Sequence, residues 1–427
     1  MNIKEIHSLF LQCDSISTDT RKIEPNSIFI ALKGDNFDAN NFTEQAIALG
    51  AKYVLIDDQS YNISPQTILV KNCLETLQEL AKYHRDYLKI PIIALTGSNG
   101  KTTTKELINV VLSQKFNTKA TVGNLNNHIG VPLTLLSFNE TTEIGIVEMG
   151  ANHKKEIEFL CSLATPDYGY ITNFGKAHLE GFGGIEGVIQ GKSEMYNYLQ
   201  ANNKLAFINL DDKIQVERTK NIRNYSYGVN NLKADININA IAADPLVTVS
   251  ALDKTISSNL IGLYNATNIN AAITIGTYFD VSSNQIKIAL ENYTPANNRS
   301  QLLNKESNKI ILDAYNANPS SMAVAITNFA QLEDKNKIMI LGDMFELGEE
   351  SQIEHQLIVQ KAQEATDIKC HFIGSLFYKC RQSSLLLHYH ETFEDFENYF
   401  KETKITDSTL LIKGSRGMKL ERVLNIL

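Results

Sequence analysis

The chain has 427 residues, of which 43% are hydrophobic and 21% are charged, and its formal net charge is −8. Because one domain usually holds about 100 to 200 residues, the length predicts two or three domains of ordinary globular composition. The negative charge argues against a general nucleic-acid surface, and no apolar run approaches the roughly 20 residues of a membrane helix, so we expect no nucleic-acid partner and no membrane insertion.

The amino terminus and the cysteines are typical of a cytoplasmic protein. The first ten residues, MNIKEIHSLF, lack the basic region, apolar stretch and cleavage site of an export signal. The five cysteines are widely spaced and include no C-x-x-C pair, which favours reduced thiols over disulfides or zinc ligands. We therefore expect a cytoplasmic location.

Short strands alternate with helical stretches in the first part of the chain. Strand-like runs occur at 27–32, 53–57 and 67–71, and a helix is predicted near 74–88. The pattern predicts a small α/β domain over residues 1–80.

The middle of the chain predicts a doubly wound sheet over residues 81–293. The apolar strand IIALT leads directly into glycines and a helix-forming segment, and later strands are predicted at 143–149, 168–173 and 204–210. Residues 230–258 are polar and favour β structure without a clear assignment. We expect a P-loop-type, mainly parallel central domain.

Strands and helices alternate again over residues 294–427. The strands KIILDAY, KIMILGD, CHFIGS and TLLIKGS each precede a helical segment. This pattern predicts a C-terminal Rossmann-like α/β domain, and the whole chain is therefore expected to be an α/β protein of three domains.

The turn that follows IIALT has the composition of a phosphate-binding loop. Backbone N–H groups and the dipole at a helix start attract phosphate, and Lys101 adds positive charge near the β- and γ-phosphates. The hydroxyl of Thr102 has the position that usually meets Mg²⁺, although Leu95 replaces the usual first glycine and makes the loop a shortened variant. We predict that ATP and Mg²⁺ bind at this loop, which consists of Gly97, Ser98, Asn99, Gly100, Lys101, Thr102 and Thr103.

Three more residues are candidates for chemistry, each with a plainer alternative. Glu148 ends the strand IGIVE and could bind a metal beside the loop, or it could be a solvated carboxylate. His178 follows the strand YGYITN and could bind a metal or orient a carboxylate, although a lone loop histidine is more often solvated. Lys192 has Glu194 close by on a predicted helix, and by itself this pair indicates a surface ion pair.

Two polar motifs follow strands of the third domain. DAYNANP and LGDMFELG place Asp313, Asn316, Asn318 and Asp343 on one rim, at the carboxyl ends of the strands. Either motif alone could equally be a turn. Together they predict a ligand-binding rim.

These motifs together resemble the Mur ligases of peptidoglycan synthesis, over nearly the whole chain. The resemblance rests on TGSNGKTTTK, GNLNNHIGVPLTLL, VEMGANHKKEI, NFGKAHLEGFGG, GKSEMY, DAYNANPSSM, LGDMFELG and KGSRGMKLE. DAYNANP and LGDMFELG resemble the members that add D-alanyl-D-alanine, whereas the members that add diaminopimelate or lysine carry D-Y-A-H-[TN]-P and D-N-P-R. The resemblance implies that ATP and Mg²⁺ bind centrally, that the first domain binds the UDP-sugar, and that UDP-N-acetylmuramoyl-tripeptide and D-alanyl-D-alanine are joined through an acyl phosphate.

The resemblance also implies roles for single residues. The implied catalytic residues are Lys101, Glu148, His178 and Lys192, with Lys192 carbamoylated, and the implied metal-supporting residues are Thr102, Glu148, His178 and Lys192. Further ATP contacts are implied for Asn265, Asn268, Arg299, Asp313 and Asn316. Substrate contacts are implied for Asp19, Arg21, Phe42, Asn124, Asn126, Asn127, Lys413, Ser415 and Arg416. The chain departs from the family pattern with Tyr264 in place of histidine and with Asn298 in place of the glycine before Arg299.

Two other functions stay open at this point. One is a sister ligase with another amine donor, such as a tripeptide-forming Mur enzyme or folylpolyglutamate synthase, and the other is a nucleotide-gated protein that holds a muramoyl precursor without turnover. Because the implied substrates touch three domains, we expect the third domain to move about a hinge near Thr294 to Asn298. We expect a monomer, and the sequence leaves open whether the third residue of the tripeptide is diaminopimelate or lysine.

Overall fold

The structure is a computed structural model that describes residues 1–295, 298–403 and 405–427. Its helices surround three main sheets that follow one another along the chain. The predicted α/β class with three domains is therefore confirmed. In the described residues, no helix is both long enough and apolar enough to cross a membrane.

The first domain is built on a parallel sheet with the strand order β1-β2-β5-β6. Its helices are α1 (Ile3–Phe10), α2 (Thr43–Ala48) and α3 (Cys73–Leu88). Its strands are β1 (Ser15–Ser17), β2 (Ser27–Ile30), β5 (Ala51–Ile56) and β6 (Thr67–Leu69), with β3 (Lys33–Gly34) and β4 (Phe37–Asp38) forming a separate hairpin. Because α3 continues past residue 80, the boundary between the first two domains stays a prediction.

The central sheet has the order β15-β14-β13-β12-β11-β10-β7-β9-β8. Its strands are β7 (Ile92–Thr96), β8 (Thr118–Ala120), β9 (Ile144–Glu148), β10 (Tyr168–Ile171), β11 (Leu205–Asn209), β12 (Arg223–Val229), β13 (Ile236–Asp244), β14 (Leu246–Ala251) and β15 (Lys254–Ile261). Its helices are α4 (Lys101–Leu112), α5 (Gly130–Leu136), α6 (Glu156–Ala164), α7 (Leu179–Phe182), α8 (Ile185–Ala201), α9 (Lys213–Arg218), α10 (Tyr264–Tyr278) and α11 (Ser283–Asn292). The sheet is parallel from β8 to β13, whereas β13, β14 and β15 pair antiparallel, which resolves the region that the sequence left unassigned.

The third domain has a sheet with the order β16-β17-β21-β18-β19-β20. Its strands are β16 (Gln301–Lys305), β17 (Asn308–Asp313), β18 (Lys337–Gly342), β19 (Lys369–Ile373), β20 (Leu387–His390) and β21 (Thr409–Lys413). Its helices are α12 (Pro319–Ala330), α13 (Ser351–Glu364), α14 (Ser375–Lys379) and α15 (Phe393–Thr403). The sequence analysis missed β16 and β20, and the predicted last helix is a 3₁₀ segment, Leu420–Asn425.

The order of the central strands decides where the site forms. Strand β7 is buried on both faces, as expected for a parallel strand covered by helices, and it pairs with β9 on one side and with β10 on the other. The carboxyl ends of all three strands therefore meet at one edge of the sheet. The helices that follow β7 and β9 begin at this edge, which lies against the third domain.

A cluster of buried histidines lies on the neighbouring strands β19 and β20. The Nδ1 atom of His371 lies 3.1 Å from Nε2 of His390, and His388 stacks on His371. Burial and the nearby histidines lower the pKa of His371 to about 2 and that of His390 to about 4. The imidazoles are therefore neutral in the folded chain well below pH 6.5, the ordinary pKa of histidine.

We expect acid to destabilise the third domain through this cluster. Below about pH 6.5 the unfolded chain binds protons that the folded chain does not, so this stability is complete above the unfolded pKa and is lost as the pH falls. At about pH 5.5 each such histidine should cost about 1 kcal/mol of unfolding free energy. The midpoint temperature of thermal unfolding should decrease when the pH is lowered from about 7.5 to about 5.5. This decrease should be smaller in His371→Phe. His153→Gln, which alters an exposed histidine, should show the same decrease in midpoint temperature as the unmodified chain. An equal decrease in all three proteins would contradict the prediction.

Candidate active site

A cavity of about 830 Å³ opens between the central and third domains. It lies at the carboxyl ends of β7, β9 and β10, where helix α4 begins. Its wall combines the loop after β7, the segment before α5, the start of α10 and polar residues that follow β17. Groups from distant parts of the chain therefore face one another across this space.

The loop after β7 requires glycine at two positions. Gly97 has a φ of +143° and Gly100 a φ of +77°, and side chains rarely adopt such conformations. A Cβ atom at Gly97 would overlap the Thr172 hydroxyl, and one at Gly100 would lie 2.6 Å from Oδ1 of Asn268. Both the backbone conformation and the packing therefore fix the turn that starts α4.

Hydrogen bonds to the segment after β10 stabilise the loop. The backbone N–H of Ser98 donates to the Asn173 carbonyl at 3.0 Å, and the Ser98 hydroxyl donates to the Gly175 carbonyl at 2.8 Å. The N–H of Asn99 donates to the Asn173 side chain at 3.1 Å. These bonds leave the first N–H groups of α4 at the positive end of the helix dipole, an arrangement that suits a phosphate.

Lys101 folds back over the same loop. Its Nζ donates to the Gly97 carbonyl at 2.7 Å and approaches the Ser98 carbonyl at 3.5 Å. Burial lowers the pKa of Lys101, while the nearby Glu148 carboxylate acts in the opposite direction. The ammonium group is thus placed to exchange backbone carbonyls for the oxygens of a phosphate.

Glu148 lies beside the loop because β9 pairs with β7, with Leu95 directly opposite it. The residue is 1% exposed, so the alternative of a solvated carboxylate is wrong. Its Oε1 accepts from the Asn126 amide at 2.8 Å, whereas its Oε2 is buried without a partner among the described residues. A buried carboxylate oxygen of this kind is suited to a cation.

The donor set in the wall fits Mg²⁺. The hydroxyl residue Thr102, the carboxylate of Glu148 and the imidazole of His178 all line the cavity, and oxygen donors predominate as Mg²⁺ prefers. The described residues contain no group of three or more His, Cys, Asp or Glu arranged for a metal. A metal here would therefore be shared between the protein and its ligands rather than enclosed by the protein.

Lys192 lies behind the wall, inside α8. It is 0% exposed, and its Nζ donates to the Ala151 carbonyl at 3.0 Å and lies 5.0 Å from the centre of the Phe182 ring. Glu194 instead accepts from the backbone N–H groups of Lys155 and Glu158, so the surface ion pair is wrong. Burial lowers the pKa of Lys192 well below its ordinary value, and the charge of Lys101 acts in the same direction.

The third domain contributes a second set of charged groups. The guanidinium of Arg299 stacks on the Tyr315 ring at 3.6 Å, and the Arg299 Nε is buried without a partner among the described residues. Asp313 accepts from the buried Lys413 ammonium at 2.6 Å and from the Ser300 N–H at 3.2 Å. Arg299 and Ser300 precede β16, Asp313 ends β17 and Lys413 ends β21, and all of them line the cavity.

Two departures from the family pattern, Asn298 and Tyr264, lie next to Arg299 and in the cavity wall, respectively. Asn298 has a φ of +57°, the left-handed conformation that glycine favours and asparagine tolerates. Tyr264 lines the cavity, and its hydroxyl lies 2.6 Å from the Ser300 hydroxyl. The start of α10 is therefore tied to the third domain directly beside Arg299.

Contacts between the domains reach the phosphate loop itself. The Asn318 amide donates to the Asn99 side chain at 2.7 Å, and the N–H of Lys176 donates to the Ser320 hydroxyl at 2.9 Å. The Lys176 ammonium also pairs with the buried Glu354 carboxylate at 2.5 Å. The third domain is docked on the central domain in this structure.

The cavity brings together many of the predicted site residues. Those in its wall are Ser98, Asn99, Gly100, Lys101, Thr102, Thr103, Asn124, Asn126, Asn127, Glu148, His178, Asn265, Asn268, Arg299, Asp313, Asn316 and Lys413. Ser415 is buried next to the wall, where its hydroxyl accepts from the Phe345 N–H at 3.0 Å. Arg416 lies near Tyr315 and pairs with Glu421 at 3.0 Å.

Asp343 follows β18 at the predicted edge of the sheet, but it is not part of the cavity wall. It is 2% exposed, and its carboxylate accepts from the N–H groups of Leu376 and Phe377 at the start of α14. Asp343 therefore stabilises a helix start, whereas Asn316 and Asn318 do line the cavity. The predicted strand-end position is correct, but the expected ligand-binding role of Asp343 is wrong, because a strand-end position does not determine the direction of a side chain.

The predicted residues of the first domain lie outside the cavity wall. Asp19 and Arg21 pair with each other at 2.8 Å, and the Arg21 side chain is exposed. Phe42 stacks on Phe37, with ring centres 5.5 Å apart. Their predicted contact with a uridine group stays a prediction.

Sequence reasoning gave no role to several residues that shape the site. Lys105 is buried and donates to the Thr121 carbonyl at 2.7 Å, and the Thr121 hydroxyl accepts from the N–H of Glu148. Lys176 connects the central domain to Ser320 and Glu354 of the third domain, and Tyr315 stacks on Arg299 within the third domain. A charged residue within the phosphate-loop helix was the one available signal for Lys105, whereas the partners of Lys176 and Tyr315 are far away in the chain.

Three family models match the chain. The Mur ligase family, catalytic domain, matches residues 12–85, the Mur ligase middle domain matches residues 95–276, and the Mur ligase, glutamate ligase domain, matches residues 298–416. Together the three matches extend over most of the chain.

Full-length relatives and solved structures agree with these matches. UDP-N-acetylmuramoyl-tripeptide--D-alanyl-D-alanine ligase of Bacillus subtilis (strain 168) is 36% identical, over 96% of this chain and 92% of the relative. The ligase of the same name from Escherichia coli (strain K12) is 32% identical, over 99% of this chain and 95% of the relative. The crystal structure of MurF from Acinetobacter baumannii is 27% identical with a TM-score of 0.87, and the match covers 99% of this chain and 98% of that one.

We expect Gly97→Ala to abolish nucleotide binding at the loop. The added methyl group would overlap Thr172 and would force a residue other than glycine into a φ of +143°. Affinity for a non-hydrolysable ATP analogue, measured by titration calorimetry, should fall by more than about tenfold. Gly34→Ala is the matched control because an added Cβ there meets nothing within 4 Å. Binding by Gly97→Ala within about twofold of the unmodified chain would refute the loop as the phosphate site.

Proposed function

The chain belongs to the Mur ligase family, and from this premise we propose that it joins D-alanyl-D-alanine to UDP-N-acetylmuramoyl-tripeptide at the expense of ATP. The product is the UDP-N-acetylmuramoyl-pentapeptide precursor of peptidoglycan. Relatives named UDP-N-acetylmuramoyl-tripeptide--D-alanyl-D-alanine ligase match the chain over nearly its whole length, which supports the same reaction here.

One observation carries the proposal. The start of α4, the buried carboxylate of Glu148 and the third-domain group of Arg299, Asp313 and Asn316 face one cavity. The first two suit a nucleotide phosphate and its cation, and the third-domain group suits closure over the same nucleotide. A binding protein without turnover would not need a buried cationic and anionic set around the γ-phosphate position.

The proposed chemistry has two steps. An oxygen of the tripeptide's terminal carboxylate attacks the γ-phosphorus of ATP, ADP leaves, and an acyl phosphate forms. The free amine of D-alanyl-D-alanine then attacks the acyl carbon, inorganic phosphate leaves with the bonding electron pair, and the amine loses a proton. Amide formation is thus driven by cleavage of one phosphoanhydride bond.

The chain's own groups act mainly by position and charge. Lys101 and the N-terminus of α4 stabilise the negative charge that develops on the transferred phosphoryl group. Asn124, Asn126 and Asn127 line the cavity, and Asn126 bonds to Glu148. We place the muramoyl peptide beside these three residues. Arg299 and Asp313 close over the nucleotide from the third domain, and Lys413, Ser415 and Arg416 receive the dipeptide.

We propose Mg²⁺ as the metal cofactor. Thr102, Glu148 and His178 would hold it, and Lys192 would support it as a carbamate formed from carbon dioxide. When bound, the metal neutralises phosphate charge and polarises the phosphoryl oxygens. The wholly buried Lys192 amine, which has no carboxylate partner among the described residues, is suited to carbamoylation because the reaction needs a neutral amine.

The third domain is proposed to move during the cycle. The docked contacts of Asn318, Ser320 and Glu354 would form on closure and would break when substrates enter. The proposed hinge spans Thr294 to Asn298, and residues 296 and 297 lie outside the described residues. We also propose that the chain acts as a monomer in the cytoplasm, where ATP and nucleotide-linked precursors are found.

The amine donor tests the function. Phosphate release from ATP with UDP-N-acetylmuramoyl-tripeptide should require D-alanyl-D-alanine and should stay near background with single amino acids or with no amine. Running the diaminopimelate- and lysine-containing tripeptides side by side would identify the third residue. Phosphate release with another donor would indicate a sister ligase. The absence of phosphate release with every donor would indicate a binding protein.

Replacement of Lys192 tests the carbamate. Lys192→Met keeps the apolar stem but removes the amine, and kcat should fall by about 100-fold or more because a preorganised anionic group is lost. A ¹³C carbamate signal should appear in the unmodified chain in ¹³C-bicarbonate and should be absent from the variant.

Lys220→Met is the matched control, because Lys220 is an exposed lysine in a surface pair with Glu217. It should keep both the activity and the carbamate signal. A carbamate signal that survives in Lys192→Met, or full activity of that variant, would refute the role of Lys192.

A further inference from the structure

We propose that Glu346 of the third domain is a positioning residue for His178, so that docking of the third domain orients this metal-supporting imidazole. The inference rests on the proposed function in assigning a metal to the site, and it adds a carboxylate that the family motifs do not mark for this role. Glu346 lies in the LGDMFELG segment between β18 and α13.

The contact joins the two domains at the cavity. Nδ1 of His178 contacts Oε2 of Glu346, at ion-pair distance although not in the direction of a standard hydrogen bond. His178 is 20% exposed and Glu346 is 55% exposed, so the pair lies at the edge of the cavity wall. His178 itself lines the cavity.

Both residues have left-handed backbone conformations. His178 has a φ of +54° and Glu346 a φ of +63°, which is an uncommon conformation for a long side chain such as glutamate. Backbone conformations of this kind persist where the surroundings enforce them, and they cluster at functional sites. The two loops therefore hold their side chains toward each other by backbone geometry as well as by charge.

The loop that carries Glu346 is fixed to the third domain on both sides of the residue. The N–H of Met344 donates to His355 at 3.0 Å, and the N–H of Phe345 donates to Ser415 at 3.0 Å. On the other side, Leu347 is buried. Glu346 therefore moves with the third domain as a rigid part of it.

The backbone next to the contact also touches the central domain. The N–H of Glu180 donates to the Glu346 carbonyl at 3.4 Å. A Cβ atom at Gly348 would lie 3.2 Å from the Glu180 side chain, so the two loops approach closely. The position of Glu346 relative to His178 is thus set by docking and would be lost on separation of the domains.

The chemical consequence concerns the second ring nitrogen. A carboxylate beside Nδ1 favours the tautomer that carries its proton on this nitrogen and restricts the ring, which leaves Nε2 as the electron-pair donor. A histidine oriented in this way binds a metal more strongly than a freely rotating one. Removal of such a partner typically lowers metal affinity by about 10- to 100-fold. Docking of the third domain and metal affinity should therefore be coupled through this pair.

Direct metal binding tests the inference without requiring turnover. Mn²⁺ affinity would be measured by electron paramagnetic resonance with a non-hydrolysable ATP analogue, for the unmodified chain, Glu346→Ala, Glu346→Gln and Glu349→Ala. Glu346→Ala should weaken Mn²⁺ binding by about tenfold, and Glu346→Gln should keep most of the affinity because an amide oxygen would still lie beside Nδ1. Glu349→Ala removes an exposed carboxylate of the same loop and should have no effect.

A double variant separates orientation from a general loss of structure. If Glu346 acts through His178, then Glu346→Ala should have little further effect on Mn²⁺ affinity in a His178→Ala background. Nitrogen NMR of labelled histidine should show protonated Nδ1 at His178 in the unmodified chain and a mixture of tautomers in Glu346→Ala.

Other outcomes would overturn the inference. Unchanged Mn²⁺ affinity in Glu346→Ala, equal losses in Glu349→Ala, or additive effects of the two alanine substitutions would each do so. Failure of the proposed function has a different signature, because the unmodified chain would then bind Mn²⁺ with the nucleotide but would not release phosphate with D-alanyl-D-alanine.

Discussion

The turn from β7 into α4 is the constraint on which the rest of the site depends. Gly97 and Gly100 have positive φ values and no room for a Cβ atom, so the chain can make this turn only with glycine at both positions. The turn brings the positive end of α4 to the edge of the sheet where β9 also ends. Glu148 and the polar groups of the third domain can therefore meet a bound phosphate at one place.

Several ionisable groups around this turn are buried with incomplete pairing inside the protein. Glu148 has one oxygen bonded to Asn126 and another without a partner among the described residues, and Lys192 is bonded to a single carbonyl. Buried charges are costly unless they are paired, and unpaired ones concentrate at sites that act on ligands. By contrast, Lys413 and Asp313 are paired at 2.6 Å, which stabilises the third-domain side of the cavity.

The interface between the central and third domains is polar where it meets the site. Asn318 reaches the phosphate loop, Glu354 pairs with the loop after β10, and Glu346 meets His178. Polar contacts of this kind can exchange with water, so they permit the domains to separate more readily than a large apolar interface would. The same contacts connect the docked third domain to the loop after β7 and to His178.

The sequence by itself determined the α/β class, the glycine loop, most strands of the parallel sheets and the family. Each of these depends on residues that are close together in the chain, where periodicity, helix starts and turns are encoded. The tertiary structure alone decided that Lys192 is buried, that Asp343 stabilises the start of α14, and that Glu346 contacts His178. These outcomes depend on packing between segments that are far apart in the chain, and a local pattern contains no information about the direction in which a side chain meets such a partner.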